Sequence, residues 1–241
     1  MDYQTILLIN AIVGIASCLT SLTGFGYALV GTPFLVLFLP PKIAVPLVLF
    51  SSLPLSAMLT WEAYRDMSPG RIGGWLAGAL GGCAIGVYGL ANYPESIMKQ
   101  VIAGFTLVGA VSLWLKPSKP FQREGLVGSL AGFLSGILGG ASGMSGPPIV
   151  LLGLKQGWDY RKFRADMIGY FTLLHTSIVI LFGNVGILSR ETLILGVSAL
   201  PGLSLGYLLG LVLKPRVSQV HFRILTIALV CFGGVLALLW H

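Results

Sequence analysis

Long apolar runs recur from one end of the chain to the other, and this feature constrains the fold more than any other. Ten segments can be read between polar, proline or glycine breaks: 5–22, 25–39, 43–60, 72–90, 97–115, 126–138, 141–154, 167–185, 192–213 and 222–240. A helix needs roughly 20 mainly apolar residues to cross the bilayer core. Because most runs meet or approach that length, the sequence predicts an all-α integral membrane protein with several spans.

The composition also indicates a protein that is surrounded by lipid rather than by water. Only 10% of the 241 residues are charged and 55% are hydrophobic, whereas a soluble domain carries about 25% charged residues. That shortage leaves too little polar surface for a water-soluble particle. The net charge of +7 does not indicate a nucleic-acid partner, because the basic residues lie in short connectors between apolar runs rather than in one patch.

The cysteines give no sign of a metal site. Cys18, Cys83 and Cys231 each lie inside an apolar run, and their odd number and wide spacing match no metal-binding motif. They are expected to be small buried side chains. We therefore expect neither a metal nor another cofactor.

Charge in the connectors predicts the topology. Two junctions, Thr23-Gly24 and Gly139-Gly140, carry no charge and are expected to interrupt helices within the membrane. If every segment crosses, or each glycine-broken pair enters and returns, 12 basic connector residues lie on one side of the membrane and 3 on the other. If each pair is instead one continuous span, 9 lie on one side and 6 on the other. The positive-inside rule favours the first arrangement, with both termini on the non-cytoplasmic side.

The chain also matches itself weakly at fixed offsets. A shift of 115 residues superposes glycines and prolines of the two halves: Gly24 on Gly139, Gly31 on Gly146 and Pro33 on Pro148. Shifts of 120 and 124 align later glycines. The sequence thus predicts two related units, 1–118 and 119–241, with five segments each. Since five is odd, the second unit would be inverted in the membrane, as in many secondary transporters.

Two glycine- and proline-rich stretches carry the strongest signal for a binding site. Residues 24–33 read GFGYALVGTP, and residues 139–148 read GGASGMSGPP. Proline removes a backbone donor and glycine adds conformational freedom, so both stretches are expected to unwind at membrane depth. Unwound backbone there must be buried in protein or line a watery cavity. A helix that restarts at such a point directs its amide N–H groups and positive dipole end at an anion.

The expected substrate-binding residues follow from these two stretches. They are Gly24, Phe25, Gly26, Gly31, Thr32, Pro33, Gly139, Gly140, Ser142, Gly143, Ser145, Gly146, Pro147 and Pro148. The alternative is that small residues only allow close helix packing. That alternative is preferred for other glycines, such as those spaced by four residues from Gly74 to Gly86.

His175 is an ionisable side chain inside an apolar segment, and such residues are functional candidates. It is expected to take a proton that is coupled to anion movement. The alternative is a neutral imidazole that bonds to a hydroxyl nearby in sequence, from Thr172 or Thr176.

A second class of protein has to be weighed. Residues 140–143 form a G-x-S-G string, and Ser142 with His175 would resemble the dyad of rhomboid-type intramembrane proteases. Such a short pattern arises readily by chance in a chain with 33 glycines. The sequence leaves an anion channel open as a third alternative.

The two stretches also resemble a known family. Gly139 to Gly143 followed by Gly146 to Pro148 looks like the second-half motif of the TauE/SafE family, also called the sulfite exporter or TSUP family. Gly24 to Gly26 with Gly31 to Pro33 looks like the first-half motif of the same family. Phe25 and Tyr27 depart from the small residues expected there, which would make that site aromatic-lined.

The resemblance implies a bacterial or archaeal inner-membrane permease that exports sulfite, sulfoacetate or related organosulfonates and is driven by an ion gradient. Its partners would be a small anionic substrate, membrane lipid and a coupling ion, expected to be a proton. Assembly into a homo-oligomer stays open at this stage.

Overall fold

The computed structural model describes the backbone of residues 3–112 and 120–213. Within these ranges the chain is helical, with no strand. The helices are α1 Tyr3–Thr23, α2 Tyr27–Leu35, α3 Pro41–Ala63, α4 Pro69–Asn92, α5 Glu95–Ser112, α6 Glu124–Ser142, α7 Gly146–Gln156, α8 Tyr160–Asn184, α9 Arg190–Ser198 and α10 Leu200–Leu213. The predicted segment 222–240, which contains Cys231, lies outside the described residues.

Six helical stretches in the described part are long and apolar enough to cross a membrane. They are α1, α3, α4, α6, α8 and the nearly continuous α9 and α10. Outward-facing leucines of α10, such as Leu205 and Leu208, are more than half exposed. Apolar side chains in that position are suited to lipid. The chain is therefore a multi-pass membrane protein.

Two helix pairs pack so closely that their backbones touch, α4 with α6 and α1 with α10. Glycines make this approach possible, because a methyl group at Gly82 would overlap the carbonyl oxygen of Phe133, and one at Gly206 would overlap that of Gly14. Small residues at such interfaces let membrane helices gain van der Waals contact without a hydrophobic driving force. The packing interpretation of the glycines spaced by four residues is thus confirmed for Gly78, Gly82 and Gly86, but it is wrong for Gly74, where an added methyl group would meet nothing within 4 Å.

The contacts of one pair recur in the other at constant offsets. In order along the helices they are Gly78 with Ser129, Gly82 with Phe133 and Gly86 with Ile137, and then Gly202 with Asn10, Gly206 with Gly14 and Gly210 with Cys18. The α6 numbers exceed those of α1 by 119, and the α10 numbers exceed those of α4 by 124.

A hydrogen bond repeats at the same two offsets. Ser129 Oγ donates to the Gly74 carbonyl at 3.0 Å, and Asn10 Nδ2 donates to the Ser198 carbonyl at 2.9 Å. The contacts of α1 and α6 therefore recur at an offset of 119. The shift of 115 read from the sequence differs by one helical turn.

Ion pairs bring several helix ends to one side. Arg161 at the start of α8 lies 2.9 Å from Asp66, just after α3. Arg71 at the start of α4 lies 2.7 Å from Asp166 of α8 and 3.5 Å from Glu124 of α6. The C-terminal end of α3 and the N-terminal ends of α4, α6 and α8 thus share a side.

The short helices α2 and α7 turn back beside longer ones. The Gln156 side chain accepts a hydrogen bond from the Phe121 amide at 2.7 Å, which places the end of α7 beside the start of α6. Tyr27 of α2 bonds to Ser51 of α3 at 3.0 Å, while a methyl group at Gly31 would lie 3.4 Å from Val48. Helix α2 therefore runs antiparallel to α3.

Candidate functional site

The first helix break lies between α1 and α2. Gly24 adopts φ +84°, and its amide donates to the Thr20 carbonyl at 2.7 Å, which ends α1 with a left-handed cap. Gly26 also has positive φ, at +106°, and precedes the first turn of α2. No side chain of the described residues caps that turn. The free N–H groups at the start of α2 are thus available to another partner.

The second break lies between α6 and α7. Helix α6 runs through Gly139 and Gly140 to Ser142, so the predicted break at Gly139-Gly140 is wrong. The cause is packing: a methyl group at Gly140 would lie 2.6 Å from the Cys83 carbonyl oxygen of α4. The chain turns instead at Gly143, which has φ +77° and donates to the Gly139 carbonyl at 2.8 Å.

The two breaks meet in one cavity of about 40 Å³. The first break contributes Gly24 to Tyr27, and the second contributes Gly143 to Gly146. Ser52 and His175 from the middle parts of α3 and α8 also line it. The cavity therefore lies near half the depth of the spans and has room for only a few water molecules.

The two helix starts differ in backbone donors. Helix α2 begins with Tyr27, Ala28 and Leu29, each of which has an amide N–H. Helix α7 begins with Gly146, Pro147 and Pro148, so only its first residue has one. The start of α2 can therefore offer an anion more donors than the start of α7.

His175 joins the second break through its side chain. Its Nε2 lies 2.7 Å from the Ser145 Oγ, and its ring stacks on Phe171 with centroids 5.7 Å apart. The histidine is only 8% exposed, and its Nδ1 has no hydrogen-bond partner among the described residues. The expected local partners are wrong, because Thr172 and Thr176 donate to backbone carbonyls of their own helix at 2.8 and 2.7 Å.

Two hydroxyl groups, from Tyr170 and Ser135, form a hydrogen-bonded chain that ends at the Ser145 carbonyl. Tyr170 OH donates to Ser135 Oγ at 2.9 Å, and Ser135 Oγ donates to the Ser145 carbonyl at 2.5 Å. All of these side chains are buried. Three helices thus hold the second break in position, since Ser135 lies on α6, Tyr170 on α8 and Ser145 at the start of α7.

Some predicted site residues lie beside the cavity rather than in it. Gly31, Thr32 and Pro33 are buried within α2, and Thr32 Oγ1 has no partner in the described part of the chain. Pro147 and Pro148 lie in the first turn of α7. Gly24, Phe25, Gly26, Gly143, Ser145 and Gly146 are the predicted binding residues that line the cavity, together with His175.

The alternative catalytic pair does not form. Ser142 Oγ donates to the Leu138 carbonyl at 2.7 Å and accepts from the Met144 amide at 3.3 Å, so it serves the end of α6. His175 pairs with Ser145 instead. The predicted dyad of Ser142 and His175 is therefore wrong, because the serine that bonds to His175 is Ser145.

Sequence reasoning missed residues from distant parts of the chain that line the cavity or contact its lining. Ser52 and Ser56 line it from α3, and Arg164 of α8 packs against Gly24. The sequence carried no signal for the serines. Arg164 was indistinguishable from other basic connector residues, although its position five residues after the helix cap Asp159 places it inside α8.

A family model described as Sulfite exporter TauE/SafE matches residues 9–237 of the chain. This match covers both helix breaks and the residues between them. No curated protein and no solved structure matches the chain.

Proposed function

The chain belongs to the TauE/SafE sulfite exporter family, and from that premise we propose that it exports sulfite or short organosulfonates through the cavity between its two helix breaks. The observation that carries the proposal is that two breaks more than 100 residues apart in sequence line one cavity at mid-depth. Secondary transporters place their substrates at such positions.

The proposed architecture is a pair of inverted repeats, 1–118 and 119–241. Its support is the recurrence of contacts at offsets of 119 and 124 in the two tightly packed helix pairs. An inverted pair explains why α1 packs on α10 while its counterpart α6 packs on α4. In such a pair, the two units can rock against each other around the central site.

The anion is proposed to bind at the first break. The amides of Tyr27, Ala28 and Leu29 provide N–H donors and the positive end of the α2 dipole. The hydroxyls of Thr20 and Ser52 donate to carbonyls of their own helices at 2.8 Å. Backbone amides are therefore better placed than these hydroxyls to stabilise the negative charge.

The coupling ion, a proton, is proposed to bind at the second break. His175 has one nitrogen against Ser145 and the other without a partner in the described residues. An imidazole nitrogen can take up and release a proton. The two breaks would thus divide the work, with the anion at the first and the proton at the second.

The proposed location is the cytoplasmic membrane of a bacterium or archaeon, with both termini on the non-cytoplasmic side. In the described part of the chain, most of the basic residues lie near the helix ends joined by Arg71 and Arg161, which supports a cytoplasmic position for that side. Export would then begin on the side of the α8 N-terminus.

A serine hydrolase is the second candidate, because Ser145 and His175 are within hydrogen-bond distance. A catalytic triad also needs a group that orients the second imidazole nitrogen. In the described residues Nδ1 of His175 has no such partner. Cleavage of a membrane-span reporter, abolished by Ser145→Ala, would favour the hydrolase over the transporter.

The transport proposal is tested in proteoliposomes with labelled sulfite and a short sulfonate. Ala28→Leu adds apolar atoms to a residue that lines the cavity and is only 6% exposed, so flux should fall to background. Ala77→Leu makes the same change on an exposed position of α4 and should leave flux unchanged. Equal flux in the two variants, with equal insertion, would contradict the site.

A further inference from the structure

Arg164 lies in the second turn of α8 and reaches the first helix break. Its Nη2 donates to the Ser21 carbonyl in the last turn of α1 at 2.9 Å. A methyl group added at Gly24 would lie 2.8 Å from Arg164 Cγ. The side chain therefore spans from α8 to the turn that opens into the cavity.

The charge of Arg164 is not balanced by a carboxylate. Among the described residues it forms no ion pair. Asp166, two residues further on, is fully buried and accepts from the Ser68 amide at 2.6 Å and from Arg71 at 2.7 Å. The nearest acidic residue in sequence is thus already satisfied by other donors.

Part of the Arg164 guanidinium lacks an acceptor. Its Nε is shielded from solvent and has no hydrogen-bond partner in the described part of the chain. A shielded donor on a charged group is costly to leave unsatisfied. An acceptor that arrives from outside the protein would remove this cost.

The position of Arg164 places it next to the cavity. Ile168, one helical turn further along α8, lines the cavity, and its side chain would lie 3.3 Å from a methyl group at Gly24. Arg164 therefore lies between the cavity and the end of α8 that carries Arg161 and Lys162. An anion that approached from that end would meet Arg164 before the amides of α2.

A purely structural role accounts for only part of this arrangement. A cation near the end of a helix stabilises its last carbonyl groups, and the bond to Ser21 does so for α1. That bond uses one of the five N–H donors of a guanidinium. It leaves the shielded Nε unexplained.

We propose that Arg164 binds the oxyanion of the substrate as it passes into the cavity, through N–H donors not used by Ser21. This inference rests on the proposed function, since it assigns a residue to the same transport path. Planar guanidinium groups match the oxygen geometry of carboxylates and phosphates, and sulfite and sulfonate groups present similar oxygens. Lysine would keep the charge but not the planar set of donors.

The test compares Arg164→Gln and Arg164→Lys with wild type in sulfite-transporting proteoliposomes. Arg164→Gln should raise KM about tenfold or more, the loss expected for a charge-assisted hydrogen bond. Arg164→Lys should raise KM less, and the dependence of KM on ionic strength should weaken only in the glutamine variant. Arg161→Gln is the matched control, because Arg161 is exposed and paired with Asp66, and it should leave KM unchanged.

Each outcome decides between the two proposals. If wild type moves neither sulfite nor a sulfonate, the proposed function fails. If wild type transports but KM and its salt dependence are the same in the Arg164 variants, the role of Arg164 alone is wrong. A lower maximal rate at constant KM would show a structural role. Should the glutamine variant not fold, the KM of the lysine variant decides.

Discussion

The break after α1 and the break after α6 share a backbone turn but differ in chemistry. Gly24 and Gly143 both end a helix in the left-handed conformation, and each amide donates to a carbonyl four residues earlier. After Gly24, which Arg164 contacts, the chain offers several amide donors, whereas after Gly143 it offers Ser145 bonded to His175. This difference supports the proposal that the anion binds at the first break and the proton at the second.

The difference continues in the walls of the cavity. If the offset of 119 found for α1 and α6 also holds for α3 and α8, the proposed repeat pairs Ser52 with Phe171 and Ser56 with His175, and all four residues line the cavity. Where one half has a small hydroxyl, the other has an aromatic ring. In the proposed repeat, the two units would keep their turns and close packing while their cavity-lining side chains differ, because function depends on the site rather than on the fold.

The largest expected effect tests whether the two helix pairs are counterparts. Gly82→Ala and Gly206→Ala each place a methyl group onto a carbonyl oxygen of the partner helix. Each should reduce stability by about 1–3 kcal/mol, as overpacking does. Thermal unfolding in detergent measures this, with exposed Gly73→Ala as the control. Strongly unequal losses would contradict the correspondence of the two pairs.

The next effect sharpens the assignment of the proton to the second break. His175→Gln keeps a group able to bond to Ser145 but cannot take up a proton. We expect flux to fall about tenfold, or about 1.4 kcal/mol, and its dependence on pH to flatten. Sulfite flux measured over a range of pH is the test. Thr176→Val, on the exposed side of α8, is the control. An unchanged pH profile would remove His175 from coupling.

A smaller effect separates the two glycine turns. Gly24→Ala and Gly143→Ala both force alanine into a left-handed conformation. At Gly24 the methyl group also meets Arg164 at 2.8 Å, while at Gly143 its nearest neighbours are 3.4 Å away. Gly24→Ala should therefore lower thermal stability by about 1 kcal/mol more. Equal loss would mean that Arg164 moves aside without cost.

The smallest effect concerns the hydroxyl of Ser56, which lines the cavity from α3. Ser56→Ala removes one cavity-lining oxygen from α3 without changing helix packing. If the anion is held mainly by backbone amides, flux should change by about twofold or less, within the energy of one neutral hydrogen bond. A tenfold loss in the proteoliposome assay would move the anion towards Ser56 and away from the start of α2.

Much of this architecture was accessible from the sequence. The apolar runs predicted a helical membrane protein with several spans, because only helices with internally paired backbones satisfy a lipid environment at that composition. The glycine- and proline-rich stretches indicated where to look for a site, and their resemblance to the TauE/SafE family agrees with the family match over residues 9–237.

The sequence alone could not separate the two roles of glycine. Gly139 and Gly140 look like a break, yet α6 passes through them, and Gly140 packs on α4 while Gly143 makes the turn. A glycine favours both close helix approach and positive φ, so only the neighbouring helix decides which applies. For the same reason, the sequence aligned Gly24 with Gly139, whereas the glycine that makes the second turn is Gly143, one helical turn later.

The sequence by itself determined the solvent, the helical class, the family and the two stretches that contain the breaks, since these follow from composition and local residue pattern. Only the tertiary structure decided which of those residues face the cavity, and that His175 bonds to Ser145 rather than to a hydroxyl of its own helix. It also decided that Arg164 lies against Gly24. These are contacts between helices far apart in the chain, and their register is set by packing that no local pattern records.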